Sequence, residues 1–206
     1  MALLLLGTAY LPPVSYVAAL LQFSNAQIEV CDNFQKQSYR NRCMIAGANG
    51  LQNLIVPVQK PAELMRDARI SYAENWQQVH IKSIEAAYRN TPFFEILADD
   101  LFGVLQTKHT FLVDLNFAVL QLILEWMQAT EIDIQRTENY ISTPANTKDL
   151  REAIHPKKKS LLNVAPEYYQ QFAARHGFKA DLSVVDLIFH EGPLAWDYLV
   201  GLDLRG

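Results

Sequence analysis

The first 31 residues constrain this chain more than any other stretch. Ala2 to Leu6 is an unbroken apolar run, the pattern of a strand covered on both faces. Pro12-Pro13 interrupts it, and Val14 to Phe23 then sets Val14, Val17, Ala18 and Leu21 along one side of a helix. A short β-like run, Gln27 to Cys31, follows. Strand, helix and strand in so few residues make a βαβ unit, with parallel strands and any ligand expected at their carboxyl ends. Those ends are Gly7 to Pro13 and Asp32 to Asn33.

The second end opens into Asn33 to Gly50, NFQKQSYRNRCMIAGANG, which crowds cations, amides and aromatic rings between apolar runs. Its second half reads as a β-hairpin, with Tyr39 to Ala46 as one strand, Gly47 to Gly50 as the turn and Leu51 to Val56 as the return. Asn49-Gly50 carries that signal, since both residues tolerate the positive φ of a primed turn. On such a strand Arg40 and Arg42 share a face about 7 Å apart. Two planar guanidinium forks at that spacing suit a diphosphate or two carboxylates. The competing reading is a solvated strand face whose arginines keep an edge soluble. Gln35, Lys36 and Gln37 lie just upstream and add to the first reading only by proximity.

The remainder reads as mainly helical. Ser71 followed by Glu74 has a capping-box pattern, so a helix is expected from there to about Arg89. Trp76, Val79, His80, Ile84, Ala87 and Tyr88 form its apolar stripe. His80 in that stripe is either a core residue or a general base and substrate contact. Glu74, Asn75 and Trp76, at the helix start, are placed to meet a ligand, although capping explains Glu74 equally well. Further helices are expected from Thr91-Pro92, from Thr110 to Met127, from Pro166 to Arg175, from Val184 after a Ser183/Asp186 cap, and after Pro193. Glu131 to Gln135 alternates like a strand with Ile132 and Ile134 inward, and Thr137 to Ser160, with Asp149, Arg151, His155 and Lys157-Lys158-Lys159, reads as loop. The lysine run is a solvated segment or a phosphate-contacting lid.

The expected fold class is therefore α/β, with an N-terminal βαβ unit and β-hairpin forming a mixed sheet and a largely helical C-terminal half. One domain is expected over 1–206, with sheet-forming residues 1–70, a mainly helical part 71–206 and one further strand near 131–135. Two hundred and six residues, half of them apolar, suffice for one sizeable core. A net charge of −4 argues against general nucleic-acid binding, so any anion site must be local. Two cysteines, Cys31 and Cys43, have no metal-ligand spacing and fit a reduced, cytoplasmic protein. The opening apolar run has no basic segment before it, stops at Leu6 and is too short to span a bilayer. There is no P-loop, no GxGxxG after a strand, no GxSxG elbow and no metal-binding cluster, so no cofactor is named.

The chain resembles the WbqC-like protein family. The likeness rests on TAYLPPVSY at 8–16, DNFQKQSYRNRCMIAGANG at 32–50, IVPV at 55–58, SYAENWQQVHIKSIEAAYRNTPFFE at 71–95 and HGFKADLSVVDLIFHEGP at 176–193. The resemblance implies a small bacterial protein, associated in some members with surface-polysaccharide biosynthesis. Many members carry His-Gln-Pro just after the first strand, where this chain has Leu6, Gly7 and Thr8. Arg40, Asn41, Arg42, Asn75, Trp76 and His80 remain as matching positions able to bear function.

Two functional readings follow. In the first, the protein is an enzyme of cell-surface glycan or nucleotide-sugar metabolism. Arg40, Asn41 and Arg42 hold the phosphate or carboxylate of a nucleotide sugar or other phosphorylated small molecule. Tyr10, Asn75 and Trp76 contact its sugar or base, and His80, with Glu74, moves a proton. In the second, the same arginines and aromatics form a protein interface on a non-catalytic scaffold. A deep polar pocket joining 8–12, 33–42 and 74–80 would support the first, and a flat aromatic patch the second.

Overall fold

The computed structural model describes residues 3–205 apart from 24, 61, 130 and 143–145. Its centre is a parallel sheet of β1 (Leu3–Gly7), β2 (Asn25–Glu29), β5 (Asp133–Arg136) and β6 (Thr147–Asp149), in the order β5-β2-β1-β6. Leu4, Leu5 and Leu6 are wholly buried, so β1 is covered on both faces as its apolar run requires. Ala2, expected to start that strand, lies outside the described residues. β1 pairs with β2 from Leu4 opposite Ala26 to Gly7 opposite Glu29, and with β6 from Leu3 opposite Thr147 to Leu5 opposite Asp149. Helix α1 (Val14–Leu21) makes the β1–β2 crossover.

The hairpin forms, as a two-stranded sheet of its own. β3 (Arg42–Gly47) pairs with β4 (Gly50–Ile55), closing Gly47 against Gly50, whose φ is 108°. The expected first strand is shortened: Tyr39 and Arg40 lie in a turn before it. Tyr39 gives its carbonyl to the Tyr10 amide (2.8 Å), and the Arg40 carbonyl accepts from Asn116 Nδ2 (2.9 Å). The first bond ties this segment to the chain just after β1 and the second to residue 116 in the helix over 112–126, drawing it off the hairpin.

The C-terminal half is largely helical: α2 (Trp76–Tyr88), α3 (Phe94–Gln106), α4 (Leu112–Trp126), α5 (Ala173–His176), α6 (Val184–Glu191) and α7 (Leu194–Val200). α1 packs on α6 and α7, while α2 packs on α3 and β3, and α3 on α4. One apolar cluster runs through the chain from Leu4 to Leu202. A short pair, β7 (Leu162–Val164) and β8 (Asp203–Leu204), closes the far end.

Several boundaries differ from expectation for local reasons. α2 starts at Trp76, not near Ser71, because no capping box forms: the Ser71 hydroxyl accepts from the Ala73 amide instead. Val79 is 57% exposed and leaves the expected stripe, which Ile81 completes. The helix expected over 166–175 shrinks to α5. Tyr168 donates to the buried Asp186 carboxylate (2.6 Å), and Gln170 Nε2 to the same carboxylate and to the Lys179 carbonyl (both 2.9 Å), which holds the segment irregular. Asp186 therefore is not a cap. Finally, the expected loop 137–160 contains β6; residues 143–145 within it lie outside the described residues.

Candidate functional site

Four parallel strands end on one side of the sheet, and an open cavity of about 480 Å³ lies there. It is lined by Cys31, Asp32, Asn33 and Gln35 after β2, by Tyr140 after β5, and by Asp149, Arg151 and Glu152 at the end of β6. The strand order reverses at β1, with β2 on one side and β6 on the other. Ligands of open parallel sheets sit at such a reversal. β1 itself ends in Gly7, where a Cβ would stand 3.5 Å from the Arg40 guanidinium.

Two arginines organise the charges. Arg40, 3% exposed, bonds the Asp32 carboxylate with one nitrogen and Gln35 Oε1 (2.9 Å) with another, and stands 3.9 Å from Glu152. Gln35 in turn donates to Glu152 (2.5 Å). Arg151 grips Asp149 through Nε (3.0 Å) and a terminal nitrogen (2.6 Å), and bonds Glu29 (3.2 Å) and the Ile141 carbonyl (2.7 Å). Glu29 is wholly buried, and its carboxylate also accepts from the Cys31 amide (2.9 Å), Thr137 Oγ1 (2.7 Å) and the Ile141 amide (3.0 Å). Each guanidinium is thus shared by two carboxylates, Asp32 and Glu152 on one side, Glu29 and Asp149 on the other.

The titration behaviour follows from these contacts. Burial raises Asp32 above the usual carboxylate range, against the opposing pull of Arg40. Asp149 is lowered, chiefly by its bond from Arg151. A buried carboxylate fixed by an arginine beside open space is equipped to accept or return a proton. The Asp32 Oδ1 atom is buried and has no hydrogen-bond partner.

The helix that follows β1 does not supply an anion site. The Asp181 carboxylate already accepts from the Ser15 amide (2.8 Å), Ser15 Oγ (3.0 Å) and Ser160 Oγ, filling the first turn of α1.

The residues nominated from the sequence separate into three environments. Arg40 stands behind the cavity wall, bonded to the Asp32 and Gln35 that line it, and Arg42 starts β3, half-buried, and does not line the cavity either, so the two do not form a clamp there; the arginine in the lining is Arg151. Asn41 joins the hairpin to the next segment, its Nδ2 donating to the Val56 carbonyl (2.9 Å). Tyr10, Trp76 and His80 form a buried stack: the Tyr10 hydroxyl is 2.9 Å from His80 Nδ1, and the Trp76 and His80 rings meet edge-on at 5.1 Å. Burial lowers His80 to about 4, so its ring is neutral at pH 7. Glu74 and Asn75 are exposed at the entry to α2, away from the cavity lining. The pocket joining 8–12, 33–42 and 74–80 is not what forms; 31–35 meets 140 and 149–152 instead.

Sequence reasoning passed over Asp32, Tyr140, Asp149, Arg151 and Glu152 as site residues. β6 is only Thr147-Lys148-Asp149, with no apolar alternation to announce a strand. Had it been recognised, the carboxyl-end rule would have led to Arg151 and Glu152 at once.

A family model described as the WbqC-like protein family matches residues 8–158, a span that includes both walls of the cavity. The chain belongs to the WbqC-like protein family. It is also 25% identical over 196 residues to the uncharacterized protein Rv1507c of Mycobacterium tuberculosis, covering 81% of this chain and 83% of that one. No solved structure matches it. At the positions of the family's His-Gln-Pro, Leu6 is wholly buried in β1, Gly7 ends the strand beside Arg40, and the buried Thr8 accepts a bond from Asn116 Nδ2 (3.0 Å). Among the described residues no three His, Cys, Asp or Glu side chains gather to hold a metal, and no helix is long and apolar enough to cross a membrane. Both cysteines are free thiols; Cys31 lines the cavity and Cys43 is buried.

Proposed function

We propose that this WbqC-like protein is a cytoplasmic enzyme of cell-surface glycan or nucleotide-sugar metabolism, folded as one domain, whose substrate enters the cavity above β1. The observation that carries the reading is Asp32, a buried carboxylate held by Arg40 on the wall of an open polar cavity at the carboxyl end of a parallel sheet. Asn33, Gln35 and Glu152 offer hydrogen bonds to sugar hydroxyls, and Tyr140, 56% exposed, offers a ring face. Asp32 accepts the proton of the reacting group, and Arg40 positions it. The exposed Lys157, Lys158 and Lys159 follow in the same segment, with Lys158 Nζ on the Glu152 carbonyl (2.5 Å), and meet the phosphates at the rim. The scaffold reading has less support, because Tyr10 and Trp76 are 0% and 5% exposed and cannot form its aromatic patch.

Thermal-shift titration with nucleotides, nucleotide sugars and acyl-CoA tests this. A ligand at 100 times its Kd stabilises the fold by about 2.7 kcal/mol. The expected result is a shift with nucleotide sugars that Glu152→Gln and Asp32→Asn diminish. No shift with any class would contradict the reading.

A further inference from the structure

Strand edges left open in a fold are ordinarily short or charged, because unpaired N–H and C=O groups recruit other strands. Most edges of this chain follow that rule. β5 carries Asp133 and Arg136, β6 carries Lys148 and Asp149, and β7 and β8 span three and two residues. β4 departs from it. Its six residues, Gly50–Ile55, hold no charge and no proline, and they pair with β3 in unbroken register from Gly47 opposite Gly50 to Arg42 opposite Ile55. The Val56 amide donates to the Asn41 carbonyl (2.8 Å), which fixes the alternation: Gly50, Gln52 and Leu54 turn their backbone groups toward β3, and Leu51, Asn53 and Ile55 turn theirs outward. The other side of β3 is covered, its Met44 carbonyl accepting from the Ser183 amide (2.8 Å). On β4 the Ile55 carbonyl meets the His80 ring, while among the described residues the Ile55 amide and both backbone groups of Leu51 and Asn53 have no partner. Leu51 and Ile55, 52% and 43% exposed, stand on the same face as Asn53.

We propose that the β4 edge is a docking surface for a second copy of this chain, pairing antiparallel with the same strand across a two-fold axis at Asn53. The strand is complementary to itself in that register. The Asn53 N–H and C=O exchange with those of the second Asn53, and each Ile55 N–H reaches the other chain's Leu51 C=O. Leu51 then lies opposite Ile55 on one face, so apolar side chain meets apolar side chain. Pairing a strand with its own copy brings like charges together, and an uncharged strand escapes that cost. A charged strand from another protein would gain the backbone bonds but leave Leu51 and Ile55 without apolar neighbours. A single strand pair buries less than the roughly 1,200–2,000 Å² of a standard interface, so the association is weak and reversible.

Sedimentation equilibrium of the full chain tests this, at concentrations from about 10 μM to about 1 mM. The wild-type protein is expected to rise toward about twice the monomer mass over that range. Asn53→Lys and Asn53→Glu, at an exposed position that makes no bond to β3, each set a charge against its own copy at the axis and should abolish the rise without lowering the melting temperature. An equimolar mixture of the two variants sets opposite charges together and should restore it. A wild-type protein that stays monomeric throughout overturns the proposal. So does a dimer that survives either substitution alone, which places the contact on another surface, and so does a mixture that remains monomeric.

Discussion

Two regions of this molecule hold polar residues out of water by opposite means. At the carboxyl end of the parallel sheet, Arg40 and Arg151 tie four carboxylates together beside open space. Between β1 and α2, Tyr10, Trp76 and His80 close on one another, with His80 kept neutral by burial. The first arrangement keeps charge and leaves acceptors unfilled; the second discards charge and fills its space with rings. Charge retained beside a cavity is a cost to folding and marks a candidate for function. A neutral histidine under a tyrosine hydroxyl is explained by packing alone.

The comparison is broken most severely by truncating either region. Arg40→Ala leaves Asp32 buried without its cation and should destabilise by about 3–5 kcal/mol in urea unfolding. Adding Asp32→Ala should restore part of that loss, and a double mutant no more stable than the single would show that the pair does not act as a unit. Trp76→Ala should cost about 3–5 kcal/mol as well, by cavity formation, yet leave ligand affinity at the sheet end unchanged. A loss of affinity without loss of stability would move the site toward α2.

A smaller effect separates the regions by pH. His80 has a folded value of about 4 against 6.5 for an ordinary histidine. The unfolded chain therefore takes up this proton below about pH 6.5 and the folded protein only near 4. Its contribution to stability is complete above 6.5 and falls as the pH drops through that window, by at most about 3 kcal/mol. His80→Phe should remove that component from the pH profile of unfolding. An unchanged profile would place the ring in water. The smallest effects belong to the entry of α2. Asn75 makes no side-chain capping bond and Glu74 is exposed, so alanine at either should shift stability by less than about 0.5 kcal/mol. A loss near 1 kcal/mol at Asn75 would reveal a cap that forms in solution.

What could be read from the sequence divides along the same line. The βαβ unit was legible because Leu4 to Leu6 and Val14 to Leu21 carry strong apolar patterns, and it turned attention to the residues after β2, where the open cavity lies. The hairpin was legible from Asn49-Gly50. Arg40 was singled out for its type and neighbours, but its strand assignment failed because tertiary bonds from Tyr39 to Tyr10 and from Arg40 to Asn116 decide its path. The second wall was hidden, since a three-residue polar strand owes its existence to β1 and not to its own composition. His80 and Trp76 showed themselves as an apolar stripe, and the structure buries both, against Tyr10 and each other.

The central claim is that the sheet end, and not the ring stack, receives the substrate. Hydrogen exchange of the full chain, with and without a nucleotide sugar that shifts its melting, tests this most directly. Slowed exchange in 31–35 and 149–152, with no change in 76–80, is the expected outcome. Protection centred on 74–80, with the sheet end unaffected, would contradict it.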